Sequence, residues 1–493
     1  MSTVSTPTAP EQALPLYRQW WFWLGISIGL VVVLVAEQEL KWFGVLVAGL
    51  LVGFVSLAFA DKKDFFLLLL VASLPINLGI RLAYQPSDLS RSTYGLQVLL
   101  FFLPLAALYI IWGLRATGRQ PTGALATTGL LPLALLFFSV SISVWRSVNP
   151  LFGLFDLFSL FWSLLLFLYV ASQVGSRREL RLVVAVLALN VGFQGTIALA
   201  QHLTNSTLGL DFFGATTKLR DYLSLAALSR AGGTLGHPNS LALFFDLLLP
   251  LVFSLLFVPQ RHLGRLGWGV LLLLGLLGLV VTQSRGGMVA TGLILTLLLL
   301  LHLARRAGWS AALVFVALFL TVAGIGIFTT ENPISKRFLR HDYGTAYGRV
   351  PHLRVASNLI RAYPVFGVGL NVYTEVAPRF DDTPQQIIAQ WQAPVHHLYA
   401  FIMAEIGLSG FFWLLLFWLA VIRGVWPAVR SADPFLSSVG LGLLGGLLAF
   451  FVHGQFDYAL WTHFTVLWFV CGLMVATGRL AQAETHPPAT QLP

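Results

Sequence analysis

Two adjacent histidines, His396 and His397, stand where the longest polar segment of the chain gives way to an apolar run. An imidazole at such a boundary can take a proton near neutral pH, which is general-base chemistry. Metal binding is the rival. Adjacent histidines point about 100° apart on a helix, however, and no third ligand is obvious nearby. On spacing alone, a pair of interfacial helix-end histidines is the favoured reading. Glu405 follows roughly 13 Å deeper by helix rise, too far to pair with His396. A carboxylate at that depth ties to a polar group of a neighbouring helix or stays protonated.

The cations suit anion binding. Arg230 opens the stretch Arg230-Ala231-Gly232-Gly233-Thr234-Leu235-Gly236-His237-Pro238-Asn239. Pro238 fits the first turn of a helix, and the glycines allow close backbone approach. Free amides at a helix start beside a guanidinium make a phosphate site. The bland alternative is a loop with a solvated arginine before a proline-initiated helix. Arg285 sits in Thr282-Gln283-Ser284-Arg285-Gly286-Gly287, the tip of a tight helical hairpin. At that depth it either snorkels to lipid phosphate or meets a bound anion, and both readings stand. In His453-Gly454-Gln455-Phe456-Asp457-Tyr458, Asp457 can orient a histidine or an arginine, or cap the last helix. Asp156 and Asp246 are further acids inside apolar runs, with partners the sequence does not name.

These groups need a scaffold, and composition says which. The chain has 493 residues, 57% hydrophobic and 10% charged, against about 25% charged in a soluble domain. Apolar runs fall at 20–36, 42–60, 65–80, 94–114, 123–144, 150–173, 179–202, 238–258, 266–283, 287–303, 310–329, 396–424, 434–453 and 457–477. The expected fold is an all-α polytopic membrane protein of about 12–14 transmembrane helices. The alternating segments of a β-barrel are missing. Residues 1–19 lack the basic and small-residue features of a removable signal peptide, so the first run is expected to be retained. They read as a disordered cytoplasmic N-terminus, and 479–493 as a disordered cytoplasmic tail. The lone cysteine, Cys471, rules out an internal disulfide and a cysteine-based metal site.

Orientation comes from the short loops. Lys62, Lys63, Arg115, Arg119, Arg177, Arg178, Arg181, Arg261, Arg265, Arg305, Arg306, Arg423 and Arg430 fall in alternate loops. The short opposite loops hold only Lys41, Arg81, Arg91, Arg146 and Arg285, and long outer segments are exempt from the count. Positive-inside counting puts both termini in the cytoplasm. The net charge of +10 is then loop charge, with anionic lipid or substrate as partner and no nucleic acid. Three regions follow between the termini: a helical bundle at 20–329 with an outer loop at 203–237, a large outer loop at 330–395, and C-terminal helices at 396–478. Within the large loop, residues 348–363 predict a helix with Val350, Leu353, Ala356 and Leu359 on one face. Arg354, Asn358 and Arg361 lie on another. It either lies on the outer leaflet or caps the bundle.

Four stretches together resemble the O-antigen ligase and polymerase superfamily of bacterial membrane glycosyltransferases. They are RAGGTLGHPN (230–239), QSRGGMVA (283–290), GRVPHLRVASNLIRAYPVFGVGL (348–370) and HHLYAFIMAEIGLSG (396–410). They are fairly specific for the superfamily and poor at separating its members. The resemblance implies a GT-C-like fold and a metal-independent, inverting transferase in the inner membrane, with no cofactor. The donor would be a glycan on undecaprenyl diphosphate, and the acceptor a sugar of the lipid A core. In a polymerase it would be another lipid-linked repeat. Related oligosaccharyltransferases use a protein hydroxyl. His396 would be the base. Arg230, Arg285, Arg349, His237, Asn239 and His397 would contact substrate. The sequence departs from the family pattern twice. His397 stands where an asparagine is usual, which keeps both imidazoles in play. Leu353 lies near the place of a common tryptophan. A lipid-linked sugar transporter is the competing class. It predicts basic residues along a central cavity and often inverted repeats. Here the site cations cluster towards one face, and no repeat is visible.

Overall fold

The computed structural model describes residues 52, 55–56, 59, 61–90, 93–117, 125–210, 230–330, 332, 334–335, 338, 345–458, 461–462 and 464–485. The N-terminus 1–19, the run at 20–36, most of the run at 42–60, Lys41, Arg91, Arg119 and residues 486–493 lie outside them. The chain divides into two compact units, residues 1–65 and 66–493. In the first, Lys62 Nζ donates to the Ser56 and Phe59 carbonyls at 2.6 and 2.7 Å.

The elements in chain order are α1 (Lys62–Ser73), β1 (Gly79–Leu82), β2 (Leu96–Leu99), α2 (Phe102–Thr117), α3 (Leu130–Arg146), α4 (Pro150–Gln173) and α5 (Arg177–Thr204). After residues 230–237 come α6 (Pro238–Leu255), α7 (His262–Thr282), α8 (Arg285–Ala307) and α9 (Trp309–Thr329). The long segment that follows carries α10 (Thr345–Ala362), α11 (Tyr373–Val376), a 3-10 turn (Ala377–Phe380) and α12 (Ile387–Gln390). The chain closes with α13 (Leu398–Val429), α14 (Pro434–His453) and α15 (Thr465–Thr485). Among the described residues, nine helices are long and apolar enough to cross a membrane: α4 to α9 and α13 to α15. The chain is thus an all-α polytopic membrane protein.

Three boundaries differ from expectation. The run at 65–80 is not a span: α1 ends at Ser73, and Pro75 and Asn77 lead into β1 instead. The run at 94–114 starts as β2, which pairs antiparallel with β1 from Gly79↔Leu99 to Leu82↔Leu96. At the other end α15 continues to Thr485, past the expected tail boundary. Arg479 holds it there by donating to the Ala171 carbonyl at 2.7 Å.

α6 is the buried axis of the bundle. Leu241 to Val252 are almost wholly covered, mainly by α14, α7 and α8. Without a strong hydrophobic drive between helices in lipid, small residues let backbones close up. At Gly446 of α14 a Cβ would lie 2.0 Å from the Leu247 carbonyl oxygen. Only glycine allows that crossing.

A second core sits under α10. Val355, Ala356 and Leu359 pack with Phe152 and Phe155 of α4, with Tyr373, and with Phe401 and Ala404 of α13. α10 therefore caps the bundle. Its buried face is not the one spacing predicted, because Val350 and Leu353 are exposed. A strict repeat of three drifts off the face of a 3.6-residue helix within two turns. Arg354 and Asn358 do share a face: Arg354 pairs with Asp382 at 2.7 Å, and Asn358 Nδ2 donates to the same carboxylate at 2.9 Å.

α13 is broken. Gly407 has φ 68° and ψ 179°, and the segment after α10 docks into the break. Val368 and Gly369 N–H groups bond to the Ala404 and Glu405 carbonyls, both at 2.9 Å. Leu408 and Ser409 N–H groups bond to the Pro364 and Val365 carbonyls at 2.8 and 3.1 Å. Irregular backbone inside a span is tolerated where protein satisfies it, and here residues 364–369 do so.

Candidate functional site

The starts of α6, α8 and α13 and the ends of α7 and α14 meet at one end of the bundle. Three of the chemistry-bearing residues there are helix caps. His237 caps α6, its Nδ1 accepting from Asn239 N at 3.2 Å. Ser284 caps α8, accepting from Gly287 N at 3.4 Å. His397 caps α13, its Nδ1 accepting from Ala400 N at 3.2 Å. Side-chain oxygens usually fill this position, and an unprotonated imidazole nitrogen does the same work.

Arg230 binds the α6 start to the α7 end. Its Nε donates to the Thr282 carbonyl at 2.9 Å, and one terminal nitrogen donates to Asn239 Oδ1 at 2.7 Å. Arg285 is the first residue of α8, three positions after Thr282 across the turn at Gln283. Thr282 thus connects the two arginines. His237 lies within the electrostatic reach of Arg230, His396 and Asp457. Arg349, in the first turns of α10, acts on His453 in the same way. Of the seven residues expected to form a site, His396, Arg230, Arg285, Arg349, His237 and Asn239 therefore belong to one connected group. His397 points elsewhere: its ring contacts Tyr399 at 5.8 Å, and it bonds with Gln455.

His396 is the partly open member, with 28% of its side chain exposed. Its Nδ1 lies 2.9 Å from Asp457 Oδ1, and its ring packs edge-on to Tyr458 and Trp391. Burial acts to raise the Asp457 pKa, but the hydrogen bond and charge of His396, with the nearby His453 and His237, hold it down at about 2. An ionised carboxylate only accepts, so Nδ1 carries the proton. In the neutral ring Nε2 is then the basic nitrogen, and it has no partner among the described residues.

A second imidazole–carboxylate pair lies behind the first. His453 Nδ1 is 2.5 Å from Asp246 Oδ2, Thr291 donates to Asp246 Oδ1 at 2.6 Å, and His453 Nε2 is 3.3 Å from Ser284 Oγ. The sequence singled out Asp246 and the stretches that hold His453 and Ser284, but did not pair them. The remaining acids are struts. Asp156 accepts from Thr93 and Thr462 at 2.9 and 3.0 Å. Glu405 accepts the Asn371 N–H at 2.9 Å, from the loop before α11.

Residues 269–415 match the family model described as O-antigen ligase. The match covers under a third of the chain and supports the O-antigen ligase and polymerase superfamily. No curated protein matches it. The matched stretch carries Arg285, Arg349 and His396. Arg230, His237, Asn239, Asp246, His453 and Asp457 lie outside the match and join it through the contacts above. The match supports an O-antigen ligase- or polymerase-type membrane enzyme, with lipid-linked glycans as its general class of substrate.

Proposed function

We propose that this protein is an O-antigen ligase with a GT-C-like architecture. It moves a glycan from undecaprenyl diphosphate to a hydroxyl of the lipid A core, at the periplasmic face of the inner membrane. The observation that carries the reading is the His396–Asp457 pair: a partly open imidazole, with Nδ1–H fixed by a buried ionised carboxylate, beside a group of arginines.

The acceptor O–H gives its proton to His396 Nε2 while its oxygen attacks the anomeric carbon. The bond from that carbon to the diphosphate oxygen breaks, and undecaprenyl diphosphate leaves with the electron pair. Arg230, Arg285 and Arg349 face the charge that develops on it, in a partly dry site where fixed cations count for more than in water. Asp457 stabilises the imidazolium. Attack from the face opposite the leaving group inverts the anomeric centre. His397 is spent on capping α13, which favours His396 as the base.

The test uses purified full-length protein, an undecaprenyl-diphosphate-linked repeat, and lipid A–core as acceptor. Product that depends on lipid A–core is expected, with His396→Ala lowering the rate by about 10²–10⁴-fold. Chain growth without lipid A–core would make the protein a polymerase. Wild-type turnover by His396→Ala would remove the base.

A further inference from the structure

His453 and Asp246 take no part in the transfer chemistry above, yet both are fully buried and hydrogen-bonded to each other at 2.5 Å. One tautomer satisfies the whole chain of contacts. Nδ1–H donates to Asp246, Nε2 accepts the Ser284 hydroxyl proton, and the Ser284 oxygen keeps a lone pair for the Gly287 N–H. Serine, histidine and aspartate are then connected as in a hydrolytic triad. Burial argues against a nucleophile. Ser284 is only 5% exposed, and the His453 ring packs on the backbone of Gly286, where an added Cβ would lie 2.7 Å from it.

The backbone of the same residue faces the other way. The His453 carbonyl accepts the N–H groups of Phe456 and Asp457 at 2.8 and 3.2 Å. The next carbonyl, Gly454, accepts the Leu398 N–H at 2.8 Å, beside the histidine pair. The side chain of His453 thus grips the turn that delivers Arg285. Its backbone shapes the turn that delivers Asp457 and, through it, His396.

We propose that the Asp246–His453 pair is a positioning element that fixes the donor-side turn 282–287 and the acceptor-side turn 453–458 in one frame. This rests on reading Arg285 as a diphosphate contact and His396 as the base. Asn at position 453 keeps an amide near the place of Nδ1, so His453→Asn retains the Asp246 contact and loses the link to Ser284. Ser284→Ala removes the same link from the other side, and Ser284→Thr restores a hydroxyl.

The experiment measures kcat, donor KM and amide hydrogen exchange for wild type, His453→Asn, Ser284→Ala, Ser284→Thr and the His453→Asn/Ser284→Ala double variant, all full-length in nanodiscs. Both single losses are expected to lower kcat about 10–100-fold and raise donor KM, as a misplaced catalytic group does. The double variant should lose no more than His453→Asn beyond the small cost of the α8 cap that Ser284→Ala also removes. Ser284→Thr should recover most of the rate. Amides at 286–288 and 456–458 should exchange faster together in His453→Asn. If that variant fails to fold, Ser284→Ala carries the same comparison. Transfer by His453→Asn within twofold of wild type overturns the proposal, and so do additive losses in the double variant. A Ser284→Ala loss as deep as that of His396→Ala, without rescue by threonine, would make Ser284 a nucleophile instead. If wild type moves no glycan to any acceptor, the transferase reading fails on its own. The exchange data then decide: faster exchange at both turns keeps the coupling, and faster exchange at one turn rejects it.

Discussion

Asp457 is 5% exposed and accepts the Nδ1–H of His396, so its charge belongs to the folded state. Its pKa in the fold, about 2, lies below the ordinary 3.8. A group depressed in this way contributes stability that is fully present above the unfolded value and is lost as pH falls through the folded one. About 2 kcal/mol is at stake, as an upper figure, between pH 4 and pH 2. Melting of the detergent-solubilised protein should fall over that window, and Asp457→Asn should flatten the fall. An equal slope in the variant would show that the charged pair is not what the fold depends on. The sequence pointed to Asp457 as a residue that could orient a histidine, but it offered an arginine and a helix cap equally. His396 and Asp457 are brought together by the Gly454–Leu398 backbone contact, which no spacing rule contains. The same holds for Asp246 and His453, which are 207 positions apart.

At the scale of elements, hydropathy located the spans because a long enough apolar stretch is what a bilayer requires of a helix. It could not see the break in α13, since a glycine inside a run of Phe, Ile, Leu and Trp barely changes the average. Gly407 holds φ 68° and ψ 179°, a region essentially closed to other residues. A Cβ there would meet the Val365 carbonyl oxygen at 2.2 Å. Gly407→Ala should therefore destabilise by about 1–3 kcal/mol from backbone strain, before the clash is counted. Gly292→Ala is the control, because a Cβ at Gly292 meets nothing within 4 Å. Thermal melts of the two variants side by side check the claim, and equal midpoints would refute it. The misread face of α10 has a similar origin. Its burial is decided by what α4 and α13 present to it, not by its own periodicity.

For the whole molecule, the described helices divide their cations between two ends. Arg285 and Arg230 lie at the end that holds His396. At the other, Arg177 pairs with Asp433 and Glu484, and Arg305 donates to Ser437. Positive-inside counting would place that second end in the cytoplasm. Cys471 is the lone cysteine and is buried, so single cysteines can report orientation against a low background. A membrane-impermeant maleimide should label Asp382→Cys in intact cells from the periplasmic side, and Arg306→Cys only after the inner membrane is opened. The reverse pattern would invert the topology and remove the site from the periplasm.

The break at Gly407 also bears on how the protein is made. Four peptide groups of α13 find backbone partners in residues 364–369, which are synthesised first. Left unpaired in hydrocarbon, each would cost several kcal/mol. The first turns of α13 cannot settle at their proper depth until the segment before them has taken its shape. Residues 364–369 take shape ahead of the first turns of α13, and the turn that brings Asp457 to His396 is made later still. If His396 is the base proposed above, biosynthesis keeps a newly made copy unarmed until both are in place.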